Sequence, residues 1–280
     1  MAINPIIKQQ VQLANGGKLK IKKRFAKWLF PYSAERVYIR ELRGLFRKIN
    51  KRTKEIIYPN IEKLINQANS TRVKQDDSSW VDNVTELKEK LILDYNLILS
   101  PVLGQMALGQ AQKISNYNKG QAIKVIHSAL SINPILAEPY LEPQIKAFQR
   151  NNVALITRLS EDQAGKIEEV LYRNLSAGNA TNIIKKELLK TFQTTEKRAK
   201  LIARDQTNKF NGDLSRLRQE EVGISQYIWS TSKDERVRPT HRENENKKFN
   251  WGKRPSTGHP GQDINCRCTA QPVITEEMFE

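Results

Sequence analysis

From Ser33 onward, apolar residues recur at steps of three and four, which is the spacing of one face of an α-helix. The first such stripe consists of Leu42, Leu45, Phe46, Ile49, Ile56, Leu64 and Ile65. Pro59 lies within the stripe and is expected to kink or interrupt the helix, because proline has no N–H to donate. The opposite side carries Arg40, Arg43, Arg47, Lys51 and Lys54. The pattern therefore predicts a long basic amphipathic helix, or a kinked pair, able to lie on a partner.

Breaks in the periodicity divide the rest of the helical portion. A polar stretch at 70–82 predicts a loop. Pro101 predicts an interruption between one helical stretch over 85–99 and another over 106–126. Three prolines within 134–143 predict a turn between helices.

Helical patterning continues after this turn. Residues 144–192 predict further helices joined by the connector Ser176–Asn179. Thr194 and Thr195 are expected to cap the next helix, because threonine is a favoured N-cap residue, and Gly223 is expected to end it.

The composition changes after Gly223. Tyr227–Trp229 predicts a short strand, residues 233–261 are polar and loop-rich, and 269–275 predicts a closing strand that Pro272 restricts to an edge. The predicted fold class is mainly α: a long helical N-terminal and central region followed by a small, loop-rich α+β C-terminal module. The predicted divisions are a basic N-terminal part (1–70, in which 1–20 is an irregular arm), a helical region (71–190) and the C-terminal module (191–280).

Charge is concentrated at the N-terminal end. The 280 residues carry a net charge of +17, and residues 1–60 account for +12 with 15 basic and three acidic residues. Such a block favours a polyanionic partner, either nucleic acid or the acidic face of another protein; the alternative is a solvated helix whose charge only maintains solubility. The candidate contact residues are Lys22, Lys23, Arg24, Lys27, Arg40, Arg43, Arg47 and Lys51.

Aromatic residues follow the first basic cluster at Phe25, Trp28 and Phe30. Basic residues beside aromatics can bind nucleic acid by phosphate contacts and base stacking. At helical spacing, aromatics more often pack, so we favour packing or protein docking here. No uninterrupted apolar run reaches 18 residues and the first 20 residues lack the apolar run of a signal peptide, so we expect no membrane contact and synthesis in a cytoplasm.

Potential metal ligands are concentrated near the C-terminal end. Two of the three histidines and both cysteines lie between His241 and Cys268. His241, His259, Cys266 and Cys268 are four candidate ligands for a tetrahedral structural zinc ion, although the spacing is unusual. The alternative is that these side chains form hydrogen bonds and pack beneath Trp229 and Trp251, while arginines tie the loops to Asp234 and Asp263. A disulfide between two cysteines separated by one residue is geometrically poor.

The same cluster admits a catalytic interpretation. Asp234, His241 and His259 could serve a metal-dependent nuclease, and a cysteine beside His259 could serve as a nucleophile. The spacing matches no recognised catalytic helix or hairpin, and no phosphate-binding glycine loop of the Walker type occurs. We therefore expect no enzymatic activity.

An ordered series of short motifs spans roughly residues 190–275. In chain order these are Arg198-Ala199, Ile202–Arg204, Gly223-Ile224, Tyr227–Thr231, Asp234–His241, His259-Pro260 and Asn265–Cys268. The series, which closes with Asn-Cys-Arg-Cys, resembles the phage Mu F-like head morphogenesis (minor capsid) proteins. Many relatives have a Cys-x-x-Cys pair where this chain has Arg238–His241. Arg238 therefore stands where a first cysteine might, which lowers the case for a metal and raises that for a hydrogen-bonded module.

The resemblance implies a role in building a phage head. Family members are head-associated minor proteins, usually encoded beside the portal and implicated in head assembly or in DNA packaging and delivery. It implies a non-enzymatic virion component, present in several copies in the head interior or at the portal vertex and assembled in the host cytoplasm. The implied partners are the portal or major capsid protein, with packaged double-stranded DNA as a further candidate. The alternatives are a DNA-binding accessory protein or a metal-dependent nuclease of a phage or prophage.

Overall fold

The computed structural model describes residues 3–14, 16, 21–22, 24–74, 79–134 and 136–279. Its helices are α1 (Pro5–Ala14), α2 (Tyr32–Ile57), α3 (Ile61–Lys74), α4 (Ser79–Leu130), α5 (Leu141–Ala177), α6 (Thr181–Glu221) and α7 (Pro239–Glu243). Its strands are β1 (Gln226–Ser230), β2 (Lys248–Asn250) and β3 (Thr269–Pro272), and two 3-10 turns lie at Tyr58–Asn60 and Glu276–Phe279. The predicted fold class, mainly α with a small C-terminal α+β module, is confirmed.

Two compact units make up the chain, and each combines segments that are distant in sequence. The first unit consists of Met1–Arg36, Leu108–Phe148 and Arg204–Glu280. The second consists of Val37–Ala107 and Gln149–Ala203. The predicted sequential division at residues 70 and 190 stays a prediction.

The first apolar stripe forms the buried face of α2, as its spacing predicts. Leu42, Phe46 and Ile49 are fully buried. Pro59 interrupts the helix as expected: α2 ends at Ile57, one 3-10 turn contains the proline, and α3 follows. The missing N–H of proline is tolerated there because a 3-10 turn is a short connector between helices.

The predicted interruption at Pro101 is wrong, because α4 runs through it without a break. Leu99 and Leu103 are both buried, so the apolar face continues on either side of the proline. Burial of such a face stabilises a helix more than one backbone hydrogen bond does. The predicted loop at 70–82 is also wrong at both ends, since α3 extends to Lys74 and α4 begins at Ser79. Residues 75–78 lie outside the described residues.

One helix of the described chain, α4, contains an 18-residue window apolar enough to cross a membrane by length and composition. Only 28% of that window is buried. Leu93, Leu97 and Val102 are exposed apolar residues of this helix. A core helix of a soluble protein meets the same criterion, so the expected absence of membrane contact stays a prediction.

The predicted cap at Thr194 and Thr195 is wrong, because both residues lie inside α6. Their hydroxyls donate hydrogen bonds of 2.9 Å to the Lys190 carbonyl and 3.1 Å to the Thr191 carbonyl, respectively. A threonine hydroxyl that bonds the carbonyl four residues earlier fits a helix interior and gives no N-cap. The predicted end of this helix is confirmed: α6 ends at Glu221, and Gly223, two residues later, has φ of 89°, a left-handed conformation that glycine adopts without strain.

The expected irregular N-terminal arm is in fact helical over Pro5–Ala14. Ile7 and Val11 of α1 are buried, and the Ile3 amide donates a 3.0 Å hydrogen bond to the Met278 carbonyl. Ile7 and Val11 belong to a hydrophobic core cluster. Its buried members are Ile3, Ile7, Val11, Ile126, Ala129, Leu130, Ile132, Val222, Ile224, Ile274 and Phe279. Ile3, Ile7 and Val11 are spaced by four residues, which is a helical period, so the sequence carries a signal for α1 that the expectation of an arm overlooked.

The sheet is antiparallel, with β1 at its centre and the strand order β2-β1-β3. Tyr227 pairs with Phe249 on one side and with Pro272 on the other. β1 and the edge strand β3 were predicted, and Pro272 lies on an edge as expected. β2 was not predicted, because its three residues lie in a segment whose composition indicates loops.

Candidate functional site

Aromatic side chains form the core of the C-terminal module. Tyr227 and Trp229 are fully buried and lie on the same face of β1, because side chains alternate along a strand. Trp251 packs against Tyr227 with ring centroids 4.2 Å apart. Cys266 and Cys268 belong to the same buried cluster. The cysteines therefore lie inside the module beside its aromatic core.

The module is attached closely to α6. Gln219, which is 1% exposed, donates a 2.9 Å hydrogen bond to the Ala270 carbonyl and accepts one of 3.1 Å from the Trp251 indole. A Cβ atom on Gly212 would lie 2.5 Å from the Pro260 carbonyl oxygen. Gly261, with φ of +92°, also approaches the helix backbone. The His-Pro-Gly segment thus lies directly on the backbone of α6.

His241, Cys266 and Cys268 form one buried group. His241 Nδ1 lies 3.6 Å from the Sγ of Cys266 and 3.6 Å from the Sγ of Cys268. All three ligand-type atoms lie within 4.8 Å of one another. Pro239 fits the first turn of the short helix that carries His241, because a proline there loses no helical hydrogen bond.

Hydrogen bonds give the two sulfur atoms different acidities. The hydrogen bond from Cys268 lowers the pKa of Cys266 against the opposing effect of burial, with further help from His241 and the Gly261 N–H. The same bond, together with burial, raises the pKa of Cys268. The hydrogen bond to Cys266 also raises the pKa of His241. The arrangement favours one thiolate stabilised by its two neighbours.

His259, the fourth predicted ligand, does not belong to this group. Its Nδ1 lies 2.8 Å from the Tyr227 hydroxyl, and its ring packs 5.0 Å from that of Trp251. Burial, followed by the charges of Arg216 and Arg254, lowers its pKa. His259 therefore packs as a neutral imidazole against the aromatic core.

Asp263 lies beside Nε2 of His241, the ring nitrogen that does not face the two sulfur atoms. Its Oδ2 is 3.3 Å from His241 Nε2, and Arg238 Nη1 approaches the same oxygen at 2.9 Å. Arg238 also donates a 2.8 Å hydrogen bond to the Ile264 carbonyl. The arginine at the place of a first cysteine therefore fixes the carboxylate that faces His241, which agrees with the expected tie to Asp263.

Arg267, between the two cysteines, points to a partner that the sequence did not indicate. Its guanidinium forms a double ion pair with Glu35 at the start of α2, including a 3.0 Å bond from Nε to Oε2. The expected partner Asp234 lies farther away, at 4.0 Å. Glu35 is 2% exposed. The one sequence signal for it is that it is the first acidic residue in a strongly basic segment.

A second buried ion pair was also missed. Arg218, whose side chain is 0% exposed, donates to Glu138 Oε1 at 2.6 Å, to Asn118 at 2.7 Å and to Ser115 at 3.1 Å. Lys119 reaches the other Glu138 oxygen at 2.7 Å. Burial raises the pKa of Glu138, but the two cations outweigh it and lower the pKa overall. These polar groups are fully paired, as buried charges must be.

The predicted basic contact residues fall into two groups. Lys22, Arg24 and Lys27 are exposed in the first unit, and Lys23 lies outside the described residues. The remaining four, Arg40, Arg43, Arg47 and Lys51, lie on α2 in the second unit.

Acidic neighbours partly neutralise the α2 group. Arg43 and Arg47 approach Glu196 at 3.6 and 3.8 Å, and Lys51 lies 4.0 Å from Glu55. The nearby aromatics Trp28 and Phe30 are buried, as the packing interpretation expects. They lie in a segment that belongs to no helix or strand.

The C-terminal part of the chain is similar to a known protein family. Residues 165–271 match the family model described as Phage Mu protein F like protein. The resemblance to that family is confirmed. The Mu F-like region thus begins within α5 and includes α6, the His241 group and the sheet up to Gln271. The match relates this part of the chain to a family of bacteriophage proteins.

One relative extends this comparison without naming a function. A protein of Haemophilus influenzae (strain Rd), described only as uncharacterized, is 37% identical over 137 residues. The alignment covers 49% of this chain and 31% of the relative, so the chain spans about a third of the length of the protein it matches. No solved structure matches the chain.

Proposed function

We propose that the protein is a minor capsid or head morphogenesis protein, a non-enzymatic virion component that binds the portal or the inner capsid during head assembly. The observation that carries the proposal is the Mu F-like match over residues 165–271. The head interior or the portal vertex is the proposed location, with several copies per virion and assembly in the host cytoplasm.

The geometry of the module supports a role in assembly. Several of its polar side chains are engaged with one another: Arg267 with Glu35, Arg238 with Asp263 and His259 with Tyr227. Groups fixed in this way position a surface, whereas a general acid or base must be free to reach a substrate. We infer that the module is a rigid contact unit.

We propose that the protein docks through an exposed basic group, which consists of Lys22, Arg24 and Lys27. Trp28 follows this group but is 2% exposed, so it offers no face on which a base could stack. Base stacking on Trp28 is therefore disfavoured, while phosphate contacts or an acidic protein surface remain compatible. We propose an acidic surface of the portal or capsid as the partner, with packaged DNA as the second candidate.

The test is complementation of a phage or prophage that lacks the gene. We expect the charge-reversal variant Lys22→Glu/Arg24→Glu/Lys27→Glu to fold but to give few complete heads by electron microscopy. A matched control, Lys247→Glu/Lys248→Glu, reverses two other exposed lysines. Normal heads in the absence of the gene product would refute the proposed function. Normal heads with the triple variant would refute only the docking surface.

DNA binding is tested separately with the purified full chain. Binding to double-stranded DNA that weakens steeply with salt and is lost in the triple variant would make DNA the partner, because each neutralised phosphate releases counterions. Co-purification with portal or capsid protein without DNA binding would support docking. Cutting of DNA in the presence of Mg²⁺ or Mn²⁺ that is lost in His241→Ala would mean that the protein is a nuclease, and it would refute the structural role.

A further inference from the structure

The buried group at His241 has the geometry of a metal centre. We propose that His241 Nδ1, Cys266 Sγ and Cys268 Sγ bind one zinc-class ion, with the fourth coordination position open to solvent. This ligand set differs from the four residues that the sequence indicated, because His259 is engaged elsewhere. The proposal does not depend on the role in head assembly.

The distances between the donor atoms fit a bound zinc ion. A tetrahedral zinc ion with Zn–S of about 2.3 Å and Zn–N of about 2.0–2.1 Å holds its sulfur and nitrogen ligands about 3.5–3.6 Å apart. Both sulfur atoms lie 3.6 Å from His241 Nδ1. These two sulfur–nitrogen distances therefore match two edges of a zinc tetrahedron. Two thiolates and an imidazole are also the donors that select zinc over magnesium or calcium.

The surroundings of His241 give an independent argument. A metal-bound histidine usually donates its other ring N–H to a carboxylate, which fixes the ring. His241 Nε2 is buried and has no hydrogen-bond partner among the described residues, although Asp263 Oδ2 is only 3.3 Å away. Arg238 holds this carboxylate in place. A small movement of Asp263 would allow its Oδ2 to accept a hydrogen bond from the Nε2–H of a metal-bound His241.

The fourth position faces a cavity of about 150 Å³. Its wall includes the three proposed ligands and four arginines, Arg204, Arg236, Arg238 and Arg267. Three protein ligands and one exchangeable position are characteristic of an open zinc site, in contrast to the four protein ligands of a closed structural site. Water is the fourth ligand that we propose.

Metal content of the purified full chain is the primary measurement. We expect one zinc ion per chain by elemental analysis and, after exchange with Co²⁺, the absorption of a tetrahedral cobalt–thiolate centre. Both readouts use the unaltered protein, so they do not depend on whether a variant folds. A chain that binds neither ion would overturn the proposal.

Variants then identify the ligands. His241→Ala and Cys268→Ala are expected to abolish the cobalt–thiolate spectrum or change its intensity, whereas His259→Gln is expected to keep one ion per chain. Loss of the ion in His259→Gln with the fold retained would overturn the three-residue ligand set.

The outer carboxylate is tested with a matched pair. Asp263→Asn is expected to weaken metal binding by about 10–100-fold, the usual effect of removing such a partner. Asp234→Asn, which alters a carboxylate in the cavity wall, is expected to leave the affinity unchanged. Equal metal affinities of the two variants would contradict the proposed role of Asp263.

Discussion

Replacement of Gly212 by alanine tests whether the His-Pro-Gly segment truly lies on the backbone of α6. The added Cβ would lie 2.5 Å from the Pro260 carbonyl oxygen and 3.3 Å from the Gly261 Cα. Ordinary contact begins at 3.4 Å, so the segment would have to move by about 0.9 Å. Both neighbours are backbone atoms, which cannot rotate away as a flexible side chain can.

Two effects of opposite sign act in this variant. Alanine stabilises a helix interior by about 1 kcal/mol relative to glycine. Overpacking in a close-packed contact costs about 1–3 kcal/mol. Gly120→Ala is the matched control, because Gly120 lies inside α4 and a Cβ there would meet no atom within 4 Å. The difference between the two variants isolates the packing cost, and we expect it to be about 1–3 kcal/mol.

Tryptophan fluorescence during urea unfolding is a suitable assay. Three of the four tryptophans, Trp28, Trp229 and Trp251, lie in the first unit, to which both glycines also belong. We expect Gly120→Ala to unfold at higher urea than the unaltered protein and Gly212→Ala at lower urea. Equal stabilisation by both substitutions would refute the close approach of the module to α6.

Three further substitutions test the buried polar groups. Glu138→Gln is expected to lower the free energy of unfolding by about 3–5 kcal/mol, because it leaves the charge of Arg218 buried without its partner. Arg267→Lys is expected to cost about 1.5–3 kcal/mol in the same assay, because lysine cannot form the double ion pair with Glu35. The lowered pKa of His259 means that the unfolded chain binds a proton more readily, so the stability present above about pH 6.5 is lost as the pH falls through the folded-state pKa. His259→Gln is therefore expected to flatten the decline in unfolding midpoint between about pH 7 and pH 5.

An exposed ion pair is the control for the first two of these substitutions. Lys146 and Glu142 lie one turn apart on α5, with side chains 62% and 75% exposed. Lys146→Gln is expected to leave the free energy of unfolding almost unchanged, since water screens such pairs. A loss as small as this in Glu138→Gln would contradict the burial argument. A pH profile unchanged by His259→Gln would mean that other groups cause the acid sensitivity.

Local features of the fold were predictable from the sequence. The α2 stripe, the break at Pro59 and the end of α6 near Gly223 depend on residues close together in the chain, so periodicity and turn chemistry reveal them. Pro101 gives the same local signal as Pro59 but has no effect on α4. Buried apolar residues flank both prolines, so burial alone does not explain the difference.

Features that depend on distant residues were not predictable. β2 consists of three residues without a strand pattern and exists because it pairs with β1. In the candidate site, residue type alone indicated His241, Cys266 and Cys268 correctly as neighbours. The same reasoning added His259, because the sequence does not show that the Tyr227 hydroxyl engages it.

The pair between Arg267 and Glu35 has a consequence for the order in which the chain folds during synthesis. These residues are separated by 232 positions. A ribosome that adds about 5–20 residues per second needs about 10–50 s to pass from one to the other. All segments of the second unit emerge before Arg204, whereas the first unit needs residues from both sides of that point. The second unit can therefore close while the cluster around Ile7 and Val11 still lacks its late members, which are Val222, Ile224, Ile274 and Phe279.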